Sequence, residues 1–280
     1  MIKVVSNSLA ANKGAEYFIL PDHPNQTVEE YENHKEMISQ LMELPDQKKL
    51  EQDTWINTAV TIENLLQDAK FFAPLFVDFL QSTIQGIDQA TVSFGPNNAF
   101  MLKSPSSLRR KIDAICREMS QVTKFEDKDI EKKVIQSAWD SIRGTIVIDT
   151  VDALKNTIYM LKFKTKENGW ALTINNLWNK PSTGYASTGY VGIHTAIQMI
   201  SGGKSIIAEL QIHFSQMFDG SPTCPKERSH IFYERTRIVD MIALNKDEKR
   251  FFSSISESVT KRIFLDPMKD IAKQINQSKL

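Results

Sequence analysis

The stretch IHTAIQMISGGKSIIAELQIH, residues 193–213, holds two runs of alternating side chains around Gly202 and Gly203. Paired glycines between such runs are a strong two-residue hairpin signal, because both central positions of the favoured turn need positive φ. With these glycines as the turn, residues whose numbers sum to 405 face each other: Met199 with Ile206, Ile197 with Ala208, Thr195 with Leu210, Ile193 with Ile212. That face is apolar apart from one threonine. The opposite face pairs Ala196 with Glu209, His194 with Gln211 and Gly192 with His213, with Tyr190 just beyond. Side chains alternate between faces along a strand, so a one-residue slip would drive Glu209, Gln211 and His213 into the core. The register is thus strongly specified, with one core face and one polar, open face expected.

Upstream, Ser104 and Pro105 read as helix cap and first helical residue, and Leu108, Ile112, Ile115 and Met119 follow at helical spacing. A charged linker is expected around Lys124 to Lys133. Thr145 to Ile148 is a short β-branched run typical of a buried strand. Val151, Leu154, Ile158 and Leu161 repeat with helical period, Trp170 to Trp178 reads as another strand, and Pro181 to Gly189 as a loop. From Thr27 to about Gln85 the pattern is helical, with Pro45 and Pro74 expected to break it into pieces. Gly95 to Asn98 is a turn cluster that suits a boundary. The expected organisation is a helical module over 1–94, a central domain over 95–243 and a helical segment over 244–280. The fold class is α/β or α+β, a mixed sheet with flanking helices.

Bulk properties narrow the function. The 280 residues carry 34 Lys plus Arg against 34 Asp plus Glu, so no net field attracts nucleic acid or an anionic membrane, and any anion site must be local. Cys116 and Cys224 lack metal-ligand spacing and suit a reducing compartment. The N-terminus has no secretory pattern. The longest apolar stretch, Phe71 to Leu80, is interrupted by Pro74 and Asp78 and is too short to span a bilayer. A cytoplasmic protein is expected, or one delivered into another cell as a toxin without a cleavable signal.

Four groups of residues could carry chemistry. Lys103, Ser107 and Lys111 are spaced by four, in a segment where cations at a helix start oppose its dipole unless an anion is present. The same spacing would also describe a solvated basic face. Asp140, just before a strand, and Glu209, in mid-strand, could together hold magnesium, which typically takes one or two carboxylates plus substrate phosphates. Each alone is equally at home as a cap or a solvent-facing strand residue. Tyr190 and His194 share a strand face that could stack on a base and contact phosphate or ribose. Lys226 to Arg237 interleaves basic and aromatic residues, as a phosphate or RNA contact surface or as an ordinary amphipathic helix.

In their order along the chain, these segments resemble the synthetase domain of the RelA/SpoT family over roughly residues 95 to 240. KSPSSLRRK at 103–111 looks like the family's ATP-phosphate element, and DSIRGTIVI at 140–148 like its metal-binding Asp ahead of a strand. GYVGIH at 189–194 is similar to the acceptor-nucleotide element, AELQIH at 208–213 to the strand with the second metal carboxylate, and FYER at 232–235 to the segment after it. The resemblance implies a pyrophosphokinase of the stringent-response type, moving pyrophosphate from ATP to a purine nucleotide with Mg²⁺. It implies that Lys103, Ser107 and Lys111 hold the donor, that Asp140 and Glu209 hold the metal, and that Tyr190 stacks on the acceptor. Gln211 and His213 would join the nucleotide site. Either Glu209 or His194 would take the proton.

Departures stand beside the matches. Met101 occupies a place where relatives carry an arginine near the ATP base, to be compensated by Arg109 or Arg143. Arg143 precedes Gly144, whereas synthetases place the glycine first, and His213 replaces an arginine. Two alternatives therefore remain: a toxin of this fold acting on a tRNA end, and an inactive nucleotide-binding or partner-binding module.

Overall fold

The computed structural model describes residues 39, 41, 56–95, 101–122, 127–177 and 192–218. The chain divides into two compact units. One gathers residues 46–175 and 194–213, and the other residues 1–45, 176–193 and 214–280. In the second unit, among its described residues, the Asn176 side-chain amide donates to the Leu41 carbonyl at 2.8 Å. The expected boundary at residue 94 does not separate compact units, because the helix and strand before it belong with the sheet. The C-terminal segment, the Lys226 to Arg237 stretch, Tyr190 and most of the N-terminal module lie outside the described residues.

The described elements are α1 (Ile62–Ile84), β1 (Ala90–Ser93), α2 (Pro105–Val122), α3 (Asp127–Ser137), β2 (Ile142–Ile148), α4 (Val151–Glu167), β3 (Ala171–Asn176), β4 (Ile193–Ser201) and β5 (Lys204–Phe214). The strands form one mixed five-stranded sheet in the order β1-β2-β5-β4-β3, with helices flanking it. β4 and β5 are the expected hairpin: Gly202 and Gly203 have φ of 59° and 72°, which suits the primed turn. The Thr195 hydroxyl donates to the Leu210 carbonyl at 3.2 Å, in the register that the alternation specifies.

α1 and α4 pack on each other and on β2. The α1 side of the sheet is marked at two strands. On β2, a Cβ on Gly144 would stand 2.8 Å from Leu80 Cδ1 and 3.0 Å from Phe76 Cε1, so only glycine lets helix and strand approach this closely. At the hairpin, Lys204 Nζ pairs with the buried Asp68 of α1 at 2.5 Å and lies 5.9 Å from the Phe71 ring centroid. Ile142, Ile146, Ile148, Ile206, Ala208, Leu210 and Ile212 alternate in phase with these positions and are buried.

Three expectations are corrected. Pro74 does not break α1, which runs through it. The proline is exposed, while Phe72, Phe76 and Leu80 are fully buried on the other side. Burying each such side chain contributes about 1.5–3 kcal/mol, and the three outweigh the roughly 3 kcal/mol cost of an interior proline. The supposed linker at 124–133 is largely helix α3, because Ile130 and Val134 make a buried stripe under a charged surface. The hairpin face that carries His194 and His213 is not open: these residues, Ala196, Gln198 and Ile207 are all buried.

Polar side chains on that face meet protein partners instead of water. The extended segment at Ile56 to Thr58 accepts from Ser205 Oγ at 2.5 Å and from Gln198 Nε2 at 3.4 Å, both at the Ile56 carbonyl. Asn57, fully buried, is the knot of this arrangement. Its amide nitrogen donates to the Ile135 and Ala138 carbonyls at 2.8 and 2.7 Å, and its oxygen accepts from the Ile207 N–H at 2.8 Å. Its own N–H donates to the Gln136 carbonyl at 2.8 Å. One side chain thereby ties the end of α3 to β5.

Candidate active site

Ahead of α2, residues 101–103 run antiparallel to residues 141–143. Leu102 bridges Ile142, the Arg143 N–H donates to the Met101 carbonyl at 2.8 Å, and the Lys103 N–H donates to the Ser141 carbonyl at 3.1 Å. Directly opposed residues send their side chains to the same side. Met101 and Lys103 therefore leave on the side of Arg143, away from Ile142, Gly144 and α1. The chain then turns into α2, where Ser104 caps the helix by accepting from the Ser107 N–H at 3.3 Å. Leu108 and Ile112 face the core, and Lys111, half-buried, reaches back past the 101–103 segment, the strap, to Asp140.

The strap and helix deliver two ammonium groups to one carboxylate oxygen. Lys103 Nζ and Lys111 Nζ both pair with Asp140 Oδ2, the second at 2.8 Å. Asp140 is buried, and its Oδ1 has no hydrogen-bond partner among the described residues; the same is true of Ser141 Oγ and Arg143 Nε. Burial pushes the Asp140 carboxyl up, but the charges of Lys111 and Lys103 outweigh it and hold the group below the usual carboxylate range. Burial pulls the Lys103 ammonium down, against the attraction of Asp140, and the charges of Lys111 and Arg143 lower it further. Both directions have one origin. Two ammonium groups share one carboxylate oxygen and the Arg143 charge acts on one of them, Lys103, and such an excess of cations in a half-buried site favours a further anion.

A second polar group runs along β5. Gln211 Nε2 donates to Glu209 Oε1 at 3.0 Å, and Gln211 Oε1 lies 3.3 Å from His213 Nε2. A carboxylate oxygen accepts and an amide nitrogen donates, so the Gln211 carbonyl is turned to His213, whose Nε2 carries the hydrogen. Alternation places Arg143 on β2 and Glu209, Gln211 and His213 on β5 on the same sheet face, opposite α1, and β2 and β5 are neighbours. His194 of β4 shares that face.

The residues expected from the sequence thus sort into groups. Lys103, Lys111, Asp140 and Arg143 come together, and Glu209, Gln211 and His213 form a ladder on the same face. Ser107 is half-buried in the first turn of α2. Arg109 is elsewhere: it points from the other side of α2 to Glu131 at 3.2 Å and Glu63 at 3.4 Å. Arg143, not Arg109, stands opposite Met101. No group of three or more His, Cys, Asp or Glu that could hold a metal is found among the described residues. Two residues went unnoticed in the sequence. Trp139, 40% exposed, directly precedes Asp140, and that adjacency was its only signal. Asn57 carries no local signal, since its partners are distant in the chain.

No protein-family profile and no curated protein matches the chain. Among solved structures it is similar to small alarmone synthetase 1 from Bacillus subtilis bound to its product pppGpp, at 13% identity and TM-score 0.43, over 76% of this chain and 97% of that one. It is also similar to smu.1046c from Streptococcus mutans UA159, at 13% identity and TM-score 0.42, over 78% and 97%. A GTP pyrophosphokinase family protein from Streptococcus pneumoniae matches at 15% identity and TM-score 0.32, over 62% and 90%.

Proposed function

We propose that this chain is a magnesium-dependent pyrophosphokinase that moves the β,γ-pyrophosphate of ATP to a ribose hydroxyl of a purine nucleotide. The observation that carries the reading is the pair of ammonium groups, Lys103 and Lys111, on Asp140 Oδ2, with the Arg143 charge acting on Lys103: an excess of cations that a polyphosphate would neutralise. Magnesium takes hard oxygen donors, few of them from protein when phosphates supply the rest. Asp140 and Glu209 fit that donor set, and the buried, partnerless Oδ1 of Asp140 has capacity for such a ligand. When bound, the metal polarises the phosphates and offsets their charge.

The chain's own residues then bind and orient. Lys103 and Lys111 take the donor phosphates, with Ser107 and the first-turn N–H groups of α2 beside them. Arg143 stands in for the arginine missing at Met101. The acceptor hydroxyl attacks the β-phosphorus, the bond from that phosphorus to the α,β-bridging oxygen breaks, and AMP leaves. The proton of the attacking hydroxyl passes to Glu209 or His194. Tyr190, by its place in the sequence, stacks on the acceptor base. In such chemistry positioning and electrostatics supply most of the acceleration.

The test is label transfer. Pure protein, Mg²⁺ and γ-labelled ATP are incubated separately with GDP, GTP, AMP, ADP, ATP and bulk tRNA. Label on a purine nucleotide is the expected outcome, and Lys103→Met should slow it by about 10²-fold or more. Label on tRNA alone would replace the acceptor class with an RNA end. No labelled acceptor under any condition overturns the reading.

A further inference from the structure

We infer that Asp140 occupies, in the nucleotide-free chain, the place a donor phosphate takes on binding, so that polyphosphate and divalent metal load together rather than singly. The inference rests on the proposed nucleotide site and adds a coupling within it.

The two lysines do not share the carboxylate evenly. Both ammonium groups sit on Oδ2, while Oδ1 is buried with no partner among the described residues. Each ligand arriving alone meets an obstacle. A divalent cation approaching Asp140 encounters two ammonium groups already on the carboxylate. A polyphosphate without metal must draw the same lysines from a buried carboxylate and leave that charge without its partners, at a high desolvation cost. Together the obstacles cancel. The lysines move to phosphate oxygens, and the carboxylate they release turns to the metal. Each ligand removes the barrier to the other, which is a coupling between two sites, and it acts equally in both directions.

The experiment uses the full chain, α,β-methylene ATP and Mn²⁺ as probes. Calorimetry measures analogue binding with Mg²⁺ and in excess EDTA, and the electron paramagnetic resonance signal of free Mn²⁺ measures metal binding without nucleotide. Asp140→Asn should bind the analogue in EDTA about tenfold or more tighter than wild type, and gain little from Mg²⁺. Lys111→Met should bind Mn²⁺ alone about tenfold tighter than wild type. Metal-free analogue affinity that is unchanged or weaker in Asp140→Asn overturns the inference, as does unchanged Mn²⁺ affinity in Lys111→Met. Should Asp140→Asn fail to fold by circular dichroism, the Lys111→Met measurement decides alone. Wild-type protein that binds no analogue even with Mg²⁺ overturns both this inference and the proposed function. Wild-type binding with Mg²⁺ but without these variant effects overturns only the inference.

Discussion

A carboxylate gripped by two ammonium groups is held in its charged form, and folding stability inherits that preference. The folded Asp140 carboxyl lies below its ordinary value of 3.8, so its contribution is fully present above that value and is lost as pH falls through the lower folded one. Lys103 runs the other way. Its folded value is lowered, so the charged group costs stability at neutral pH, and the cost is relieved as pH rises through that value. Urea unfolding from about pH 7 down to about pH 3 should therefore show an acid-side loss that is smaller in Asp140→Asn. An equal loss in wild type and variant would remove Asp140 as its source. Asn57→Ala, which strands the Ile207 N–H and two carbonyls at the end of α3, should cost about 3 kcal/mol or more by the same measurement. Neither residue was equally legible in the sequence. Asp140 stands beside a strand motif, whereas Asn57 makes sense only through partners 78 to 150 positions away.

Elements were legible where one local pattern settled them. The Gly-Gly hairpin, the Ser-Pro start of α2 and the β-branched run of β2 all formed as expected. α3 hid because its lysines and acids mask a short apolar stripe, and β1 because four residues on an edge strand show no alternation worth reading. The burial of the second hairpin face was also invisible, since glutamine, serine and histidine look the same in sequence whether they meet water or a neighbouring carbonyl. Gly144→Ala should destabilise by about 1–3 kcal/mol through its clash with α1, and Leu80→Ala in the same chain should recover part of that loss, a coupling that a double-mutant cycle would read. Pro74→Ala returns an N–H to the exposed side of α1 and should raise stability by about 1–3 kcal/mol, seen as a higher Tm. An unchanged or lower Tm would mean that the proline fits α1 without cost.

For the whole molecule, equal numbers of cationic and anionic residues mean that any attraction for an anionic ligand must be local. Salt then acts over a Debye length of about 8 Å at physiological strength and leaves a half-buried cluster largely unscreened. Raising salt from about 0.05 to about 0.5 M should weaken analogue binding only a few-fold, in contrast to the steep dependence of a protein that contacts many phosphates. A fall of about 10³-fold would point to a long polyanion as the true ligand. Among the described residues no helix is long and apolar enough to cross a membrane.

The Asn57 knot also sets an order of events in time. During synthesis the asparagine and the end of α3 emerge well before Ile207, so the amide meets its α3 carbonyls early and its β5 partner only when the hairpin has been made. Closing a loop of 150 residues carries an entropic cost, so the expected outcome is that this contact forms late, read as a faster unfolding rate with a nearly unchanged folding rate in Asn57→Ala. A contact made after the barrier governs how fast the native state is lost, not how fast it is reached. The buried amide is thus a latch on the finished fold: without it the protein should still find its structure at nearly the same rate, and leave it sooner.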